Sequence, residues 1–99
     1  MRFISFTVTP AAPYYLILDS PDSAYRPETL RDPLIGVMPG GGGSVVVSVQ
    51  IVPGGAWWPV ADGNLAGTLT DDVYDVLATR PYAVRFTATT ADAAIEVAQ

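Results

Sequence analysis

The 99 residues include no histidine, no cysteine and no lysine. Each absence closes a chemical route. Without imidazole there is no side chain poised to exchange protons near neutral pH and no nitrogen ligand for zinc. Without a thiol there is no thiolate nucleophile and no disulfide framework. Without an ammonium group there is no Schiff base, and a serine or threonine nucleophile would have neither histidine nor lysine to activate it. The reading is a chain that acts by contact: not an enzyme, with no cofactor and no metal.

Charge is also scarce. Only 15% of residues are charged, and five arginines face ten aspartates and glutamates, a net charge of −5. Scattered arginines make no basic patch, so no nucleic-acid partner is expected. No apolar run approaches the roughly 20 residues that span a bilayer, so no membrane partner is expected either. The opening Met1-Arg2-Phe3-Ile4-Ser5 is too short an apolar run for a secretion signal, and synthesis in a cytoplasm is the expectation. The length fits one domain over residues 1–99. What is abundant is hydrophobic side chains, at 49%. A domain of this size has a small core, so some of that apolar area is expected to face partner subunits.

Strand signals dominate. Phe3 to Thr9 alternates Ile4, Phe6 and Val8 against Phe3, Ser5 and Thr7. Tyr14 to Leu18 is a short apolar run. Ser44 to Val52 puts Val45, Val47, Val49 and Ile51 on one face, as a central strand would. Tyr82 to Thr89 places Tyr82, Val84, Phe86 and Ala88 inward with Arg85 and Thr87 outward, and Ala93 to Ala98 aligns Ile95 with Val97. Pro53-Gly54-Gly55, Asp62-Gly63-Asn64 and Ala91-Asp92 supply turns. One segment reads helical: Thr70 to Ala78, with Thr70 as cap, Asp71 and Asp72 in the first turn, and Val73, Val76 and Leu77 on one face. About seven short strands suggest a small antiparallel all-β sandwich carrying one short helix.

Residues 19–43 break the pattern. They hold Pro21, Pro27, Pro33, Pro39 and the run Gly40 to Gly43, with no sustained period. A long structureless insertion in a compact domain is usually functional. The segment is therefore expected to be an extended arm between two strands, ordered on a partner surface.

Candidate sites are few. Trp57 and Trp58 are adjacent strand residues and point to opposite faces. Trp58, leading into Pro59-Val60, is expected in the core. Trp57 then shields the hairpin, meets a partner, or stacks on a sugar together with Tyr14 and Tyr15. Asp62, Asp71, Asp72 and Asp75 could offer oxygen ligands to calcium, but they lack the spacing of a calcium loop and suit a helix start. Gly40 to Gly43 precedes a strand and has no following lysine, so it fails as a phosphate loop and fits a hinge or a close approach between subunits. The carboxylates Asp19, Asp22, Glu28 and Asp32 show no pairing suited to acid–base chemistry.

Three stretches carry a resemblance: VVVSVQIVPGGAWWPV, LAGTLTDDV and PYAVRFTATTADAAIEVAQ, together spanning Val45 to Gln99. This succession resembles small β-sandwich virion proteins of tailed bacteriophages. Gly54-Gly55, Trp58, Leu65 to Thr70, Tyr82 to Phe86 and Ala94 to Val97 take the places of their glycine turn, tryptophan, Thr-rich connection, "YxVRF"-like strand and short last strand. The resemblance implies a capsid decoration or cement protein, located in the virion. It would bridge the major capsid protein or other virion subunits and self-associate, as a homo-oligomer. The alternative within that class is a head–tail connector or tail component; a carbohydrate-binding or adhesion module is the alternative outside it. The expected partner contacts are Tyr25, Arg26, Leu30, Arg31, Leu34, Ile35 and Met38 in the arm, plus Trp57. Deleting Ala24 to Gly40 is then expected to abolish particle binding and leave the sandwich folded.

Overall fold

A computed structural model of the chain describes residues 3–18, 32–78 and 81–99. The described elements are nine strands: β1 (Phe3–Val8), β2 (Tyr14–Ile17), β3 (Leu34–Pro39), β4 (Ser44–Gln50), β5 (Trp57–Pro59), β6 (Thr68–Leu69), β7 (Val73–Val76), β8 (Ala83–Thr89) and β9 (Ala93–Ala98). They form two antiparallel sheets, one ordered β1-β9-β3-β7 and the other β2-β8-β4-β5, with β6 also pairing with β4. The fold is the small all-β sandwich that the alternating pattern implies.

Period-2 alternation decides which face of each sheet is inside. In the four-stranded sheet, Ile4, Val97 and Ile35 form one inward cross-strand row, and Phe6, Ile95, Val37 and Val73 the next. In the five-stranded sheet, Tyr14, Phe86 and Val47 form one inward row, and Leu16, Val84 and Val49 another. Phe6 joins the two layers. Its ring stacks on Tyr14 at 3.9 Å and meets Phe86 edge-on at 5.5 Å. Each such side chain, taken from water to full burial, contributes about 1.5–3 kcal/mol before ordering costs.

Several expectations need correction. Thr70 to Ala78 is not a helix, and no helix occurs among the described residues. Two turns of helix are marginal alone, while the free edge of β3 offers a ladder. Leu34, Ile35, Gly36 and Val37 pair with Val76, Asp75, Tyr74 and Val73. The segment 19–43 is likewise not an unbroken arm, since β3 occupies the interior of the four-stranded sheet. Pro33 precedes the strand, Pro39 ends it, and Gly36 interrupts its alternation. Ile51 lies beyond the end of β4 and is exposed.

The glycine run is a turn. The Gly43 N–H donates to the Gly40 carbonyl at 2.9 Å, and Gly42 holds φ +76°. Through this turn the chain passes from one sheet to the other, beside the turn at Thr90 to Asp92 that returns it. A side chain at Gly40 would collide with the Asp92 carbonyl, and one at Gly43 would come within 2.9 Å of Ala91 Cβ. The close backbone approach expected of these glycines is therefore made within the molecule, between the β3–β4 and β8–β9 connections.

Candidate functional site

The outward face of the four-stranded sheet is unusually apolar. Phe3, Ala98, Leu34 and Val76 are register partners in succession and cross all four strands as one row. The next row is Ser5, Glu96, Gly36 and Tyr74; the third contains Thr7, Ala94 and Met38. Phe3 is 72% exposed and Tyr74 73%, although both are large and aromatic. They stand on the two edge strands. The central strands β9 and β3 carry small outward residues between them at Ala98 and Gly36. The result is a trough of about 490 Å³ whose lining includes Phe3, Leu34, Gly36, Tyr74, Glu96 and Ala98.

Of the expected contact residues, Leu34 lies exposed in this trough and Met38 is half-buried on the same face. Ile35 is 0% exposed. It points into the core and presents nothing to a partner, because strand alternation sets it opposite to Leu34. Tyr25, Arg26, Leu30 and Arg31 lie outside the described residues. Phe3, Gly36, Tyr74 and Glu96 were missed. The alternation of Phe3 with Ile4 was legible, but Tyr74 was hidden by the helical reading of its segment.

Trp57 sits on the outward face of the five-stranded sheet and is half-buried. Its ring meets Tyr15 at 5.5 Å, and the Arg85 guanidinium lies 5.0 Å from its centroid, a cation–π arrangement. Tyr15 and Trp57 belong to opposite edge strands, so their rings must lean over the strands between them. Ser48 beneath is only 3% exposed although it points outward. Gln50, also buried, donates from Nε2 to the Gly55 carbonyl at 2.8 Å and ties the hairpin shut. Arg85 Nε is buried with no hydrogen-bond partner among the described residues. Trp57 is thus largely engaged inside its own chain. Trp58, opposite Val49 at the end of an inward row, does not fill the core: β5 is an edge, and the ring remains 56% exposed. Tyr14 faces inward against Phe6, so Tyr14, Tyr15 and Trp57 share no common platform.

The aspartates do not gather. Asp75 points inward at the sheet edge, where its Oδ2 accepts the Asn64 N–H at 2.9 Å and its Oδ1 accepts the Val76 N–H at 2.8 Å. Gly63, at φ +81°, makes room, since a Cβ there would lie 2.7 Å from Asp75 Oδ2. Asp75 pins a turn to β7 beside a second cleft of about 550 Å³ that Val49, Val60, Leu65 and Leu77 help to line. Among the described residues no cluster of three or more potential metal ligands exists. Comparison with protein-family models, curated proteins and solved structures gave no match for the chain.

Proposed function

We propose that this chain is a non-enzymatic virion structural protein of a tailed bacteriophage, a decoration or cement subunit that stabilises the shell by bridging capsid subunits. The observation that carries the reading is the apolar row from Phe3 to Val76, displayed across a whole sheet face. A chain with this little charge gains by covering such a face; each apolar Å² buried contributes about 25 cal/mol before ordering costs. The resemblance of Val45 to Gln99 to small virion sandwiches supports the phage assignment. Repetition over a shell would turn modest contacts into a rigid lattice by multivalency. The proposed contact residues are Leu34 and Met38, with Tyr25, Arg26, Leu30 and Arg31, joined by Phe3 and Tyr74; Trp57, on the other sheet and engaged by Tyr15 and Arg85, is not one of them.

The test is quantitative mass spectrometry of virions purified from the phage that encodes the chain. The expected result is hundreds of copies per particle, falling at least tenfold for the paired variant Leu34→Asp, Tyr74→Asp. Tens of copies would point to a ring at a single vertex and so to a connector or tail component. Absence from the particle would remove the virion reading.

A further inference from the structure

Gly36 stands in the interior of β3, flanked by β9 and β7. Its φ is not among the positive ones, which belong to Gly42, Gly54, Gly63 and Gly67. A Cβ built on it would meet only Glu96 Cβ and the Glu96 carbonyl, both at 3.9 Å, which is ordinary contact. Nothing within the described molecule requires glycine here. Glycine weakens a strand interior, and where the fold does not demand it, it often marks a place where another backbone comes close. Gly36 lies on the floor of the trough, in the row between Glu96 and Tyr74.

The dimensions of the trough narrow the visitor. Phe3 on β1 and Tyr74 on β7 stand three strand spacings apart, about 14 Å across the sheet. An α-helix with its side chains is about 10–12 Å in diameter. A second flat sheet would strike both aromatic walls, whereas a helix lying along β9 and β3 fits between them. Charge narrows it further. Among the described residues that line the trough, Glu96 is the only charged one. A second copy laid face to face would set its own Glu96 near this one, between two chains that each carry −5. Burying two like charges together is costly, while a basic side chain opposite Glu96 would satisfy it.

We propose that the trough between Phe3 and Tyr74 receives one α-helix of a different protein, apolar on the facing side, with a lysine or arginine set against Glu96 and its backbone close to Gly36. The inference rests on the reading of the chain as a partner-binding virion protein only for the existence of a partner.

The experiment uses the full chain as labelled bait for a yeast-displayed library of helix-forming peptides. These have one apolar face and a randomised residue at the centre of that face. Lysine or arginine is expected to be enriched at the randomised position. Selected peptides should bind Glu96→Lys and Gly36→Leu at least tenfold more weakly and Tyr15→Ala, on the other sheet, unchanged. Circular dichroism confirms folding of each variant. Should Gly36→Leu fail to fold, Glu96→Lys and Tyr74→Ser carry the comparison. No enrichment, enrichment without basic residues, or binding that survives at the trough variants would overturn the proposal. So would sedimentation showing a wild-type dimer that Tyr74→Asp dissociates, because a second copy would then fill the trough. The library contains no virion component, so particle copy number can fail while helix binding holds, and the reverse.

Discussion

Thr90 has φ +77°, the one described non-glycine residue with positive φ. A β-branched side chain is poorly suited to this region, and such residues carry about 1–3 kcal/mol of strain. Thr90 is exposed, so the cost is borne for the turn and not for packing. Asparagine tolerates the conformation better. Thr90→Asn is therefore expected to raise stability by about 0.5–1 kcal/mol, read as a higher urea midpoint with unchanged slope. Gly36 gives a second test. Replacing it by alanine relieves the entropic penalty of glycine without a clash, so Gly36→Ala should stabilise the free protein by about 0.5–1 kcal/mol. A loss of stability would mean that the fold itself needs glycine there.

The elements differ in how openly the sequence announces them. β1 and β9 alternate without interruption over six residues, and β4 and β8 keep one apolar set in step over seven, so their inward sets are legible directly. β7 has only four residues, and β3, though six residues long, is disguised by Pro33 just before it and Pro39 at its end. Val73, Val76 and Leu77 fit a helical face as well as a strand, and only the open edge of β3 decides between them. β3 hides behind Pro33, Pro39 and Gly36, although Ile35 and Val37 occupy alternate positions. The trough was illegible for the same reason: two of its four strands were read as something else. Its apolar row exists only once the register aligns Phe3, Ala98, Leu34 and Val76. The placement of β3 reverses the expectation for deleting Ala24 to Gly40. That deletion removes the strand joining β9 to β7, together with the buried side chains of Ile35 and Val37. Losing two such side chains alone costs about 4–8 kcal/mol, comparable to the whole stability of a small domain. The deleted protein is expected to be unfolded, with no cooperative melt by circular dichroism.

At the scale of the molecule, the two outward sheet faces have opposite characters. The five-stranded sheet covers its own face with Trp57, Tyr15 and Arg85 and keeps Ser48 and Gln50 from water. Among the described residues, none covers the outward face of the four-stranded sheet. Apolar surface on one face and self-coverage on the other make the two sides of the domain chemically distinct, as the proposed attachment through the four-stranded sheet requires. Such a division suits a subunit that must attach on one side while presenting the other outward.

The pairing of β1 with β9 has a consequence for how the protein is made. β1 is the first of the nine strands to be made, yet its hydrogen-bonded neighbour in the sheet is the last of them. At about 5–20 residues per second, β1 waits roughly 5–20 s on the ribosome before its ladder can close. β3 waits too, since both its partners, β7 and β9, come later. Until then Ile4, Phe6, Val8, Ile35 and Val37 belong to a sheet that lacks its joining strand. An unfinished sheet with exposed apolar side chains is prone to pair with other chains, so the yield of folded protein is expected to depend on the pace of translation as well as on the stability of the finished sandwich.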